Sequence, residues 1–461
     1  MESVADAPGE RDLAHAGSLR SSLVGAMSDP AGRVQLQVAL DFVDNSRALK
    51  CAREAAAGGA DLLEVGTPLL KAEGLAAVRL LHKEFPHLPI VCDAKTMDAG
   101  RAEVEMAAKA GASIATVLGV ASDQTVQECI NAGRNYGIRV YVDLLGHPDP
   151  AARARQAEAW GAAFVGVHCP IDEQMAGKDP FERLRRVAAA VSIPVAVAGG
   201  IHSESAASAV AAGASIVIVG GFISKAEDAT AATRAIRKAI DERVAVPTTL
   251  FKRGGGESAL REILGRVSVP NVSDAYHRRQ PLPDLRPVVP GARCCGPAYT
   301  VRSAPGDWAK PVEAIDHAAP GSVLVIDTGG APPAIWGELA THSAIQRKIA
   351  GVVIHGAIRD TPEIRKLGFP AWATVICPNA GEPKGFGEEQ VTLRWGGFSI
   401  EPGDWIVADD DGVVALPKAI AVEMANRAQD VLEKENRVRH EIDVEGRTLA
   451  EVVELYKWEK K

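Results

Sequence analysis

Short apolar runs alternate with Ala-rich amphipathic stretches from Val34 to about Arg243. The runs are VQLQVALD (34–41), DLLEVG (61–66), PIVCDAK (89–95), SIATVLG (113–119), RVYVDLL (139–145), FVGVHC (164–169), PVAVAGG (194–200) and SIVIVGG (215–221). Each has strand length and is nearly continuous in apolar character, as expected of a parallel sheet covered on both faces. Segments such as SRALKCAREAAAGG and ESAASAVAAG lie between them and read as helices. Alternating strands and helices imply right-handed crossovers. Eight such units predict an N-terminal (β/α)₈ TIM barrel rather than an open doubly wound sheet.

The rhythm then breaks. KAIDERVAVPTTLFKRGGGES ends in three consecutive glycines, Gly254 to Gly256, and reads as a linker. Beyond it, ALREILGRV has helical spacing, whereas GSVLVID, AGVVIHG, PAWATVI and DWIVADDDGVVALP are strands separated by Gly, Pro and Asp turns. AIAVEMANRAQDVLEKENRVRHEI closes this part as a charged helix expected to pack on a neighbour. The expected layout is a polar extension over 1–30, a barrel over 31–243, a linker over 244–256 and a second α/β domain with a mixed sheet over 257–461.

Composition narrows the function classes. Hydrophobic content of 47% and charged content of 24% are ordinary for a globular chain. A net charge of −8 speaks against broad nucleic-acid binding, so no nucleic-acid partner is expected. No run reaches membrane-spanning length, and the first residues lack a signal-peptide core. The seven cysteines form no C-x-x-C pair, and Cys92 and Cys169 sit in apolar runs, which predicts a reduced, cytoplasmic setting.

Chemistry gathers where the barrel strands end, since the active site of such a barrel lies at the carboxyl ends of its strands. Asp41, Glu64, Asp93, Lys95 and His168 all fall there. Asp93 and Lys95 are two apart and are expected on the same side of their strand. Asp98 follows in the loop, where it points back into the mouth or across to a neighbouring subunit. Asp41 alone reads equally as a helix N-cap, a role for which Asp44 and Asn45 compete. Glu64 and Asp93 suit a hard cation such as Mg²⁺, and Lys95 suits a proton donor or oxyanion partner. Strands seven and eight end in the pairs Gly199-Gly200 and Gly220-Gly221, which predict a phosphate-binding edge.

ALD, EVGTPL, DAKTMDAG, the His before IDEQ and the two glycine pairs resemble the 3-hexulose-6-phosphate synthase branch of the orotidine-5′-phosphate decarboxylase superfamily. Keto-gulonate-phosphate decarboxylases stand close by. The resemblance spans about 34–240 and implies an aldol addition of formaldehyde to ribulose 5-phosphate. It further implies Mg²⁺ on Glu64 and Asp93, and Lys95 and His168 acting on an enediolate with His168 as base. It also implies a dimer in which Asp98 reaches the partner's site. Cys169-Pro170 after His168 departs from the glycine found in many relatives.

In the second domain, Arg359-Asp360 follows the strand GVVIHGAI, with Glu363 three residues on. The pair reads either as a capping Asp beside a surface Arg or as a metal ligand beside a carboxylate-binding fork. GELAT, VVIHGAIRDTPEI, PNVSDA and PGDWIVADDDGVVALP resemble the RraA-like family over about 257–430. That family holds divalent-metal aldolases, which also decarboxylate oxaloacetate, and a metal-independent regulator that binds ribonuclease E. The resemblance implies Mg²⁺ or Mn²⁺ on Asp360 and a pyruvate-like carboxylate held by Arg359 and the backbone of Gly337, Glu338 and Leu339. It also implies a trimer or hexamer, and leaves a ribonuclease as the partner of the non-catalytic alternative.

Overall fold

The computed structural model describes residues 32–250 and 253–455. The polar extension expected over 1–30 lies outside them. The described chain separates into two compact units: 32–174 with 179–250, and 175–178 with 253–455.

The first unit is a closed barrel of eight parallel strands. They are β1 (Gln35–Leu40), β2 (Leu62–Val65), β3 (Ile90–Thr96), β4 (Ile114–Leu118), β5 (Arg139–Asp143), β6 (Phe164–His168), β7 (Val195–Ala198) and β8 (Ile216–Val219). β1 closes the ring by pairing with both β2 and β8. All eight apolar runs became strands, because each could bury both of its faces.

Side-chain alternation assigns those faces. Leu36, Val38 and Leu40, Leu63 and Val65, Val140 and Val142, and Val217 and Val219 point outward under the helices. Ala39, Leu62, Val91, Ile114, Tyr141, Phe164, Ala196 and Ile216 fill the interior. There the Tyr141 and Phe164 rings stack at 4.7 Å. A Cβ on Gly166 would stand 2.1 Å from the Tyr141 hydroxyl, so glycine is what lets the ring lie across β6. Nearer the mouth, the inward positions become Glu64, Asp93, Thr116, Asp143 and, beyond Gly166, His168. Apolar layers thus support a polar arc.

The second unit is built on a mixed sheet. Its strands are β9 (Arg286–Pro287), β10 (Cys294–Arg302), β11 (Val323–Asp327), β12 (Gly351–Ile358), β13 (Ala371–Ile376) and β14 (Glu388–Glu389). There follow β15 (Leu393–Trp395), β16 (Phe398–Ile400), β17 (Trp405–Asp409) and β18 (Gly412–Leu416). The order is β18-β17-β10-β11-β12-β13-β9, with β14 on β10 and a separate β15–β16 hairpin. β10 to β13 are parallel and β17–β18 is an antiparallel hairpin.

β10 was not expected, since CCGPAYTVR carries Gly296 and Pro297 within it. The strand accommodates them by changing partners there. Cys294 to Pro297 pair with β17, and Ala298 to Arg302 pair with β11. The closing helix Ala421–Asp443 packs through Ala421, Met424, Ala425 and Ala428 onto helices Glu257–Arg266 and Val269–Ala275 of its own unit.

Candidate functional site

The barrel mouth gathers six titratable side chains: Asp41, Glu64, Asp93, Lys95, Asp143 and His168. Asp93 is buried and fully engaged. Its Oδ2 accepts from Thr67 Oγ1 at 2.7 Å, its Oδ1 from Thr116 Oγ1 at 3.0 Å, and Lys95 Nζ donates to both oxygens at 2.8 and 3.0 Å. Lys95 departs from plain strand geometry. Its φ is 49°, its N–H donates to Thr116 Oγ1 at 2.9 Å, and the β3–β4 register slips between Cys92 and Thr96. The expectation that period 2 alone puts Asp93 and Lys95 on one side is therefore corrected. A local bulge aims the ammonium back over its own strand.

Lys95 Nζ also lies 3.4 Å from Asp143 Oδ2. Burial works against the charged ammonium, but Asp93 and then Asp143 outweigh it and raise the Lys95 pKa. Asp143 is the site residue that the strand reading missed. It is 1% exposed, and its Oδ2 lies 3.4 Å from His168 Nδ1 while its Oδ1 accepts the Leu145 N–H at 3.0 Å. Burial pushes its carboxyl up, yet the His168 contact, the Lys95 charge and the Leu145 N–H together hold it below the usual range. An Asp at an inward position of an otherwise apolar run was the available signal.

Glu64 is buried and accepts a 2.5 Å hydrogen bond from Gln37 Nε2. Burial first, then the Asp93 and Asp41 charges, push its pKa well above the usual range. Asp41 stands just beyond β1 as an exposed residue, and burial around its carboxyl and then the Asp93 charge raise its pKa too. It is not the helix cap. That role falls to Asp44, whose Oδ1 accepts the N–H groups of Ser46 and Arg47. Asp98 is exposed and accepts the Ala99 N–H at 2.7 Å.

Opposite the charged arc, β7 and β8 end in Ala198-Gly199-Gly200 and Gly220-Gly221. Gly199 and Gly200 have φ of 100° and 73°, and a Cβ on Gly199 would stand 2.4 Å from the Cys169 carbonyl oxygen. The mouth is thus charged on the β1–β6 side and bare backbone on the β7–β8 side, an arrangement that admits a ligand between them.

Among the described residues, no group of three or more His, Cys, Asp and Glu side chains is arranged to hold a metal. The donor set still fits Mg²⁺, which keeps several waters and takes one or two carboxylates. Glu64 and Asp93 supply such a pair; burial first, and then the Asp93 and Asp41 charges, raise the Glu64 pKa, and a cation would offset the charge part of that cost.

In the second unit, Gly337, Glu338, Arg359 and Asp360 come together. The segment at Trp336 bridges to Ile358, and Arg359 N–H donates to Trp336 O at 3.0 Å. Asp360 Oδ2 accepts the Glu338 N–H at 3.2 Å and lies 3.5 Å from Arg359 Nε. A Cβ on Gly337 would stand 2.5 Å from that oxygen. Asp360 occupies the N-cap position of helix Thr361–Leu367 but caps it with no side-chain bond, so the capping alternative does not describe it. Its single open carboxylate fits a cation that retains most of its waters. Leu339 is 77% exposed, and Glu363 pairs with Lys366 at 3.3 Å.

Comparison with known proteins agrees with this division. The Orotidine 5'-phosphate decarboxylase / HUMPS family profile matches residues 34–236, and the Aldolase/RraA profile matches 269–415. The 3-hexulose-6-phosphate synthase of Mycobacterium gastri is 38% identical over 207 residues, which is 45% of this chain and 100% of that one. The enzyme of the same name from Methylomonas aminofaciens is 40% identical over 201 residues, 43% of this chain and 96% of that one. The solved structure of the RNA-processing inhibitor RraA from Thermus thermophilis is 32% identical, with a TM-score of 0.32, covering 33% of this chain and 94% of that one. The chain belongs to the orotidine 5'-phosphate decarboxylase / HUMPS family through its barrel and carries an RraA-like domain in its second half.

Proposed function

We propose that the barrel is a 3-hexulose-6-phosphate synthase, condensing formaldehyde with ribulose 5-phosphate. The observation that carries this reading is the 38% identity across the whole length of the Mycobacterium gastri enzyme. The mouth geometry is suited to the chemistry. The Gly199-Gly200 and Gly220-Gly221 edge receives the phosphate on backbone N–H groups. With Nδ1–H directed at Asp143, His168 presents its Nε2 lone pair and takes a proton from C1 of the ketose. The resulting enediolate carbon attacks the carbon of formaldehyde, and the new alkoxide takes a proton. Lys95, held charged between Asp93 and Asp143, stabilises negative charge developing on the ketose oxygens. Mg²⁺, held by Glu64 and Asp93, would supply Lewis-acid polarisation of those oxygens. Asp98, exposed and directed at no group in its own mouth, serves the site of a second barrel in a dimer.

The test is consumption of formaldehyde by the purified chain with ribulose 5-phosphate and Mg²⁺. No consumption, together with CO₂ release from 3-keto-gulonate 6-phosphate, would replace this reading by the decarboxylase one.

For the RraA-like domain, the cluster of Arg359, Asp360, Gly337 and Glu338 favours a metal-dependent aldolase or oxaloacetate decarboxylase over a ribonuclease-binding module. Arg359 would clamp the carboxylate of a 2-oxo acid, and Asp360 would hold Mg²⁺ or Mn²⁺. Oxaloacetate decarboxylation by the full chain, lost in Asp360→Ala, is the expected result. Activity unchanged by that substitution excludes it.

A further inference from the structure

Asp41, Gly66 and Gly220 are each the first residue beyond their strand, and those strands are β1 and the two strands that pair with it. Three neighbouring positions at the rim of a barrel would normally carry three competing side chains. Here only the central one has a side chain. An ideal Cβ on Gly66 would stand 2.2 Å from Asp41 Oδ1 and 3.2 Å from its Cγ. On the other flank, a Cβ on Gly220 would stand 3.1 Å from Asp41 Oδ2. The carboxylate therefore lies in a slot with a missing side chain on each side.

Backbone conformation does not account for the glycine at 66. Its φ of −62° and ψ of 157° are open to any L-residue. Its neighbours on either side, Val65 and Thr67, are ordinary residues of β2 and of helix Thr67–Glu73. What a methyl group at 66 meets is the Asp41 carboxylate and, at 3.1 Å, the Leu40 carbonyl oxygen of the same strand end. Gly220, with ψ of −90°, carries a backbone constraint of its own, so position 66 isolates the side-chain effect.

We propose that Gly66 is a positioning residue for Asp41, its missing side chain fixing where the Asp41 carboxylate sits in the mouth beside Lys95 and His168. Gly66 has no side chain to offer a substrate. It acts through Asp41, which is why its effect must vanish when the carboxylate has no role left to lose. The proposal rests on the catalytic reading of the mouth for its kinetic half only. The steric half stands independently of that reading.

The test is a double-mutant cycle on the full chain with Gly66→Ala and Asp41→Asn, read by kcat/KM for formaldehyde fixation. Displacing a catalytic group by about 1 Å costs on the order of a hundredfold, so Gly66→Ala alone should lose about that much. Added to Asp41→Asn, it should lose less than about threefold more, which is the signature of action through one group. Equal losses in both backgrounds overturn the proposal, as does a Gly66→Ala protein with wild-type kcat/KM.

A second cycle with Asp41→Ala, read by melting temperature, covers a poorly folded Gly66→Ala protein and an inactive wild type. The clash predicts that Gly66→Ala lowers the melting temperature when Asp41 is present and much less when residue 41 is Ala. The small loss from Ala at a helix N-cap is common to both backgrounds and cancels. An equal drop in both backgrounds overturns the slot. If the wild type fixes no formaldehyde but the melting cycle shows coupling, the synthase reading has failed and the slot stands.

Discussion

Asp143 Oδ2 lies 3.4 Å from His168 Nδ1, and the same oxygen lies 3.4 Å from Lys95 Nζ. One buried carboxylate therefore orients the proposed base and anchors the proposed oxyanion partner. Asp143→Asn preserves shape but can turn an amide N–H toward Nδ1, which moves the imidazole lone pair to the wrong nitrogen. The expected loss in kcat is about 10²–10⁴-fold with little change in KM. Steady-state kinetics check it.

The same substitution has a pH signature in stability. The folded state holds the Asp143 carboxyl below its ordinary value of 3.8. Its stabilising contribution is thus complete above about pH 3.8 and is lost as pH falls through the lower folded value. Denaturant midpoints of wild type and Asp143→Asn should differ at pH 6–8 and converge toward the acid limit. A constant difference at all pH values argues against the ion-pair account.

Glu64 predicts the opposite sign. Its folded pKa is raised above 4.5, so the ionised form costs stability at every pH above that folded value, and the cost fades as pH falls toward 4.5. Metal-free Glu64→Gln should therefore melt higher than wild type near pH 8, by a few degrees, and match it near pH 4.5. Mg²⁺ should raise the melting temperature of wild type and do so far less for Glu64→Gln. A Glu64→Gln protein with lower stability and an unchanged Mg²⁺ response would contradict both statements.

Lys95→Met leaves Asp93 and Asp143 without their shared cation. The side chains of these two are 7% and 2% exposed, against 22% for Lys95. Removing one partner of a buried pair typically costs 3–5 kcal/mol, and the partial exposure of Lys95 brings the expectation to roughly 2–4 kcal/mol. Urea unfolding measures it. A loss below about 1 kcal/mol would mean that the mouth carries enough water to screen these charges.

These sites differ in how visible they were along the chain. The eight barrel strands were legible because continuous apolar runs flanked by Ala-rich helices have few other ways to be buried. Glu64, Asp93 and His168 stood out as charges at inward positions near strand ends. Asp143 was hidden by a boundary. RVYVDLL reads as one strand to Leu145, which puts the Asp inside it, whereas the strand stops at Asp143. The bulge at Lys95 and the glycine slot beside Asp41 were not visible either, since both depend on neighbouring strands brought together only by closure of the barrel. In the second unit, β10 was obscured by Pro297, which only a change of pairing partner allows in mid-sheet.

Asp98 supplies the last prediction. It follows Lys95 by three residues, yet its carboxylate is exposed and bonded to the adjacent Ala99 N–H, while Lys95 turns inward to Asp93 and Asp143. Exposed Met97, at 51% exposure, stands next to it. An exposed acid beside an exposed apolar side chain at the rim of the mouth suits a position that a second barrel covers. If Asp98 completes a neighbour's site, chains carrying Asp98→Ala and chains carrying Lys95→Ala are each inactive alone. Mixed as heterodimers they rebuild one intact site from the unmutated Lys95 of one chain and the unmutated Asp98 of the other. Activity should then return to about a quarter of wild type at equal mixing, since half the dimers are mixed and each has one working site. Heterodimers confirmed by tagged pull-down that recover nothing would place Asp98 outside the shared site.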